Sequence, residues 1–287
     1  MFNLGFIWSL FGGVSSQVFD KLANSIKAGP VDDAARSGLD IKKIGSTALV
    51  EMRGPMLKEA GWLSAWGFAG TVETEQALLA AANDNEIESI LWVIDSAGGS
   101  VDGLDSLYKT AKSIGKEKEI TVQVDGMLAS AALYVASAAN KIYANRRDLI
   151  GSIGARMMIY DYSAAFENAG IKAIPIDTGE FKSAGAMGTE ITKEQQADFQ
   201  RVVDGYFADF VLAVTEGRPI SKKDFDSLAD GRIFFADEQP IETGLIDGIR
   251  STRQAFSDVL AKNDTLQAAN RTRLMASADA RLRLLSL

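Results

Sequence analysis

Residues Ile87-Glu88-Ser89-Ile90-Leu91-Trp92-Val93-Ile94-Asp95-Ser96-Ala97-Gly98-Gly99-Ser100-Val101 decide the fold of this 287-residue chain. Ile87 to Ile94 is a nearly continuous apolar run, the pattern of a strand buried on both faces. A glycine turn follows. From Val101 to Ile114 the spacing of Leu104, Leu107, Tyr108, Ala111 and Ile114 becomes that of a helix. Strand, turn and helix in this order, with connections too long for hairpins, predict parallel α/β construction.

The same alternation extends in both directions. Ala48 to Met52 reads as a strand stopped by Arg53-Gly54-Pro55, and residues 56–72 as a loop with three glycines and two tryptophans. Thr74 to Asn83 reads as a helix with Thr74 as its N-cap. Downstream, Glu119–Val124 reads as a strand and Ser130–Ala139 as a helix of very small residues. Lys141–Ala144 is a further strand, and Gly151-Ser152-Ile153-Gly154 a turn that enters another. Ser163–Ala169 then reads as a helix, Lys172–Asp177 as a strand, and Thr192–Glu216 as a long amphipathic helix. Ser221 caps a short helix, and another begins at Ala236 and ends near Gly244.

Three units are expected: an N-terminal arm over 1–44, a main domain over 45–250, and a helical tail over 251–287. The tail shows no core of its own and reads as an assembly arm or disordered tail. Met1 to Phe19 carries no charged side chain, but Asn3, Ser9, Ser15, Ser16 and Gln17 dilute it. A spanning helix wants about 20 predominantly apolar residues. An aromatic-rich docking or interfacial segment is the better reading.

Composition excludes several chemistries. The chain has no histidine and no cysteine, so a Ser-His-Asp triad, a thiol nucleophile, a disulfide and a thiolate metal site are all impossible. A net charge of −8 lacks the basic stripe that nucleic acid requires. No Asp/Glu-rich loop of calcium type occurs, so neither metal nor cofactor is expected. The absence of cysteine fits a reducing compartment. The cytoplasm is the expected location, with membrane association through residues 1–19 as the alternative.

Three segments carry chemistry, each with a plainer reading beside it. Gly98 and Gly99 follow the buried strand, where consecutive glycines leave backbone N–H groups free for an oxyanion. They also suit an ordinary strand-to-helix turn. Ser130 precedes a helix, with the N–H of Ala131 beside it, as a nucleophile needs. Small residues there also serve close packing, and Ser137 lies seven residues on along the same face. Lys182 sits among Phe181, Ala184, Gly185, Ala186 and Met187, a setting that would desolvate its ammonium into the free-base form a general base requires. Most lysines are solvated surface charges. Without histidine, lysine is nonetheless the leading base for a serine.

Taken in order, these segments resemble the signal peptide peptidase A family of Ser–Lys serine peptidases, which includes phage and prophage head-maturation proteases. The resemblance covers roughly Ser46 to Arg250. Asp95-Ser96-Ala97-Gly98-Gly99 is similar to the family's Ser-Pro-Gly-Gly turn, with Ala97 in place of proline. Ala129-Ser130-Ala131-Ala132-Leu133-Tyr134 resembles its nucleophile helix, with Leu133 where an aromatic residue is usual. Gly151-Ser152-Ile153-Gly154 resembles the turn whose serine orients the lysine, and Gly179-Glu180-Phe181-Lys182 the general-base segment. Gly231-Arg232-Ile233-Phe234 and Gly244-Leu245-Ile246-Asp247 resemble the end of the domain.

The resemblance implies a crotonase/Clp-protease-like spiral of ββα units, with helical extensions at both ends. It implies Ser130 as nucleophile, Lys182 as base, Ser152 orienting Lys182, and an oxyanion hole from Gly98, Gly99 and Ala131. Polypeptide substrates and a homo-oligomer are implied too, with serine and lysine drawn from neighbouring subunits. Capsid or scaffold proteins are the favoured substrates and signal peptides the alternative. The two departures bear on the oxyanion turn and the groove wall. Readings of another class are a non-proteolytic acyl-CoA enzyme, disfavoured by Ser130 and Lys182, and an inactive assembly scaffold.

Overall fold

The computed structural model describes residues 41–261 and Thr265. The N-terminal stretch read as a docking or interfacial segment, and most of the tail, lie outside these residues. Ten strands, β1 (Lys42–Ile44), β2 (Thr47–Arg53), β3 (Met56–Leu57), β4 (Ala69–Gly70), β5 (Ser89–Ser96), β6 (Glu119–Ala129), β7 (Lys141–Ala144), β8 (Leu149–Gly151), β9 (Ile233–Phe235) and β10 (Gly248–Ile249), lie among the described residues. The helices are α1 (Thr71–Asn83), α2 (Leu104–Ile114), α3 (Ala131–Ala136), α4 (Ser163–Asn168), α5 (Lys193–Gly217), α6 (Lys222–Leu228) and α7 (Gln239–Glu242). A 3-10 helix occupies Gly61–Trp66, in the stretch expected to be loop, and residues 252–261 are also helical.

The main sheet has the order β1-β2-β5-β6-β7-β10, with β8 pairing β6 and β9. The pairs β2–β5, β5–β6, β6–β7, β6–β8 and β7–β10 are parallel, while β1–β2 and β8–β9 are antiparallel. This is the α/β architecture expected from the sequence. The first strand lies at Lys42–Ile44, just ahead of residue 45, where the domain was expected to begin.

The opening apolar run has a direct explanation. Ile90, Trp92 and Ile94 face the principal core, against α1, α2 and α3, while Leu91 and Val93 face the other way. That second face, with Leu49, is covered by Ala255, Phe256 and Val259 of the helix at 252–261. β5 therefore needs apolar residues at every step. The start of the tail, expected to have no core of its own, is thus packed on the sheet of the domain.

Other local expectations changed as well. Thr74 is not an N-cap: Gly70 holds that place, and the Thr74 hydroxyl lies inside the helix, donating back to the Gly70 carbonyl at 2.7 Å. Residues 172–177 and the segment after Gly154 form no strand, because no neighbouring strand supplies a ladder. The helix after Ser130 closes at Ala136. Thr192 does cap α5, in a capping box with Gln195. Near the domain's end, Asp247 accepts from the Ile142 amide at 2.8 Å and pairs with the Arg218 guanidinium. Burial opposes ionisation of Asp247, but those two partners outweigh it and hold the carboxyl below its usual range.

Candidate active site

Three parallel neighbours, β5, β6 and β8, end side by side, and the candidate residues follow their carboxyl ends, where ligands bind in α/β sheets. β6 reaches this place through a bulge. Its register with β5 runs to the pair Ile94–Val124 and resumes at Ser96–Leu128. There β6 also changes partner, from β7 at Thr121–Gln123 to β8 at Met127–Ala129. Bulges re-aim the chain that follows them.

Two carboxylates hold this bulge. Asp95 accepts from the Met127 amide at 3.1 Å, and a side chain at Gly126 would strike that carboxylate at 2.7 Å. Asp148 is buried and accepts from the amides of Asn145, at 2.8 Å, and Gly126. Burial pushes the Asp148 carboxyl above its usual range, and the charge of Asp125 adds to this against the hydrogen bonds it receives.

Ser130 follows β6 with φ 51° and ψ −126°, a backbone state that costs a non-glycine residue about 1–3 kcal/mol. Its amide donates to the Gly151 carbonyl at 2.9 Å. Ser152, at the matching position after β8, also has φ 51°, and its amide donates to the Arg232 carbonyl at 2.6 Å. No other non-glycine residue among those described has positive φ. Both serines are half-buried, and the Ser130 hydroxyl is hydrogen-bonded to no described residue.

The glycine turn closes over this point. Gly98 has φ 87°, and a Cβ there would lie 2.7 Å from the Ala131 nitrogen, 2.7 Å from the Ser130 Cβ and 2.8 Å from the Ala129 carbonyl oxygen. Its own N–H donates to the Ser96 hydroxyl at 3.1 Å. The N–H groups of Gly99 and Ala131 have no acceptor among the described residues. Two unpaired amides beside an unpaired serine hydroxyl make an arrangement fit to hold a developing oxyanion.

Lys182 is placed differently. It lies in a turn, exposed, its side chain joined to no described residue, while its amide donates to the Gly179 carbonyl at 3.0 Å. Within one protomer, no hydrogen bond links it to Ser130 or Ser152, and the desolvating setting expected from its apolar neighbours is not formed. The segment 152–192 that carries it contains one six-residue helix and a series of exposed apolar side chains. Ile174 is 71% and Ile176 95% exposed, and Met157, Met158, Tyr160, Phe181 and Met187 are exposed too. The structure thus gathers Ser130, Ala131, Ser152, Gly98 and Gly99, and leaves Lys182 on an exposed arm. Leu133 is fully buried in the core and is not a groove wall.

The sequence reading missed the supports of the site. Met56 brackets the glycine turn, its amide donating to the Gly98 carbonyl and its carbonyl accepting from the Ser100 amide, each at 2.9 Å. Asp95 lies 32 residues from the Met127 amide that it holds, and Asp148 lies well beyond the Gly126 amide, so neither support was visible as a local pattern.

A family model described as Peptidase family S49 matches residues 112–266, more than half of the chain. A protein of Methanocaldococcus jannaschii that bears a provisional protease name is 31% identical over 173 residues, covering 60% of this chain and 55% of its own length. The capsid assembly protease C of Escherichia phage lambda is 23% identical over 227 residues, covering 79% of this chain and 51% of its own. The chain therefore spans about half the length of these relatives. Among solved structures, a ClpP1 mutant from Listeria monocytogenes aligns with a TM-score of 0.47 and 16% identity, over 74% of this chain and 94% of that one.

Proposed function

The chain belongs to peptidase family S49, and on that premise we propose that it is a serine endopeptidase with Ser130 as nucleophile and Lys182 as general base. The observation that carries this reading is Ser130 itself. It is held at φ 51° at the end of β6 beside β8, and neither its hydroxyl nor the Gly99 and Ala131 amides have a partner among the described residues. The chain offers no histidine to activate it, which leaves lysine as the leading base, and the resemblance assigns Lys182.

The chemistry then runs through an acyl-enzyme. Ser130 Oγ attacks the peptide carbonyl carbon while its proton passes to Lys182 Nζ. The oxyanion accepts from the Gly99 and Ala131 N–H groups. As the C–N bond breaks, Lys182 returns the proton to the departing amine. Water, deprotonated by the same amine, releases the acyl group and restores Ser130. Ser152 orients Lys182 during these transfers.

A lysine base works as the free amine, in a place closed to water. The exposed apolar arm carrying Lys182 gains that closure by docking on a neighbouring protomer, so the dyad is shared between subunits of a homo-oligomer. Large exposed apolar surfaces mark such contacts. Within this reading the favoured role is maturation of a phage or prophage head, in the host cytoplasm. It is supported by the likeness to the lambda capsid assembly protease along 79% of the chain.

Casein cleavage by the full chain, by Ser130→Ala and by Lys182→Ala tests the proposal. Both variants should lose cleavage. Retention of wild-type activity by Ser130→Ala would contradict it. Portal and major capsid genes flanking this one are expected for the head-maturation role, and a setting without them speaks for signal-peptide degradation.

A further inference from the structure

The turn that supplies an oxyanion donor has no proline to stiffen it, since Ala97 stands before Gly98 and Gly99. Besides the backbone of Met56, which brackets it, one side chain holds its conformation. Ser96 closes β5 and is 2% exposed. Its hydroxyl donates to the Gly54 carbonyl at 2.6 Å and accepts from the Gly98 amide at 3.1 Å. The Gly54 amide in turn donates to the Asp95 carbonyl at 2.8 Å, so the ends of β2 and β5 are clasped in both directions.

This clasp decides which amide is available. With the Gly98 N–H taken by Ser96, the Gly99 N–H remains without an acceptor among the described residues. Gly98 is pressed against Ala129, Ser130 and Ala131 so closely that its position fixes where Gly99 presents its hydrogen. We infer that Ser96 is a positioning residue for the oxyanion hole. Its hydroxyl locks Gly98 so that Gly99, and not Gly98, donates to the oxyanion. This rests on the peptidase reading of Ser130.

The clasp acts on the charge that develops in the transition state and not on the ground-state substrate, so its loss falls on kcat. Proline at 97 restricts the same turn by a different means. It fixes φ near −65° and keeps the preceding residue extended, as Ser96 already is within β5. The Ala97 amide makes no hydrogen bond with a described residue that proline would remove.

The test uses the full chain with a fluorogenic peptide that the wild type cleaves, a serine-directed fluorophosphonate, and thermal melting. Ser137→Ala, which removes another buried hydroxyl, just past the helix end and bonded to the Leu133 carbonyl, is the control. For Ser96→Ala, kcat per folded molecule should fall on the order of tenfold to a hundredfold, with KM within about twofold and labelling of Ser130 slowed in parallel. Ser96→Ala with Ala97→Pro should regain most of the lost kcat, and Ser137→Ala should match the wild type. Unchanged kcat in Ser96→Ala, a loss confined to KM, or no recovery with proline would overturn the inference while leaving the peptidase reading intact. A wild type that neither cleaves nor takes the label would overturn both.

Discussion

Ser130 and Ser152 stand one step beyond the paired residues Ala129 and Gly151, and both hold φ at 51°. The Ser130 amide bonds to the Gly151 carbonyl, so the two strained positions are locked together at the ends of adjacent parallel strands. Strain of this kind persists only where the surroundings over-determine it. Here the bulge in β6, the carboxylates of Asp95 and Asp148 and the glycine turn all do so.

Gly98→Ala should be severe. The added methyl would meet a backbone nitrogen, a backbone oxygen and the Ser130 Cβ, none of which is a flexible side-chain end. Overpacking costs about 1–3 kcal/mol, and activity should fall by about 10² or more as the oxyanion donors shift. Denaturant melts and peptide cleavage read the two effects. A variant with wild-type turnover would show that this turn does not line the reacting centre.

Mixing should restore what each single substitution removes. Ser130→Ala keeps a Lys182 arm, and Lys182→Ala keeps a nucleophile. If the dyad is shared, the two inactive proteins refolded together should form some complete sites and regain cleavage. Mixtures as inactive as their components, in verified mixed oligomers, would mean that serine and lysine act within one subunit.

Asp148 gives a pH signature. Its folded pKa is raised, so its favourable contribution is complete below the unfolded carboxylate value of about 3.9 and is lost as pH rises through the folded value. Asp148→Asn cannot ionise. The stability of the variant relative to the wild type should therefore increase as pH rises above about 4, read by chemical denaturation at several pH values. A difference that does not vary with pH would contradict this account of Asp148.

Much of this was legible in the sequence because it rests on local pattern. The run Ile90–Ile94 had to be a buried strand, and Leu104, Leu107 and Tyr108 a helix face. The glycines and Ser130 stood at strand ends, where their chemistry is expected. What escaped was non-local. Asp95 meets Met127 across a register slip, and Ser96 meets Gly54 from a different strand end. The packing of residues 252–261 escaped for the same reason, since Ala255, Phe256 and Val259 find their partners on β2 and β5. Residues 172–177 read as a strand from their own sequence, but a strand needs a neighbour, and no described strand pairs with them.

The central claim is that Ser130 is the acylated residue. Peptide mapping by mass spectrometry after fluorophosphonate treatment of the full-length protein tests it most directly. One adduct on Ser130, lost together with casein cleavage in Ser130→Ala, is the predicted result. An adduct on another serine, or undiminished cleavage by Ser130→Ala, would contradict it.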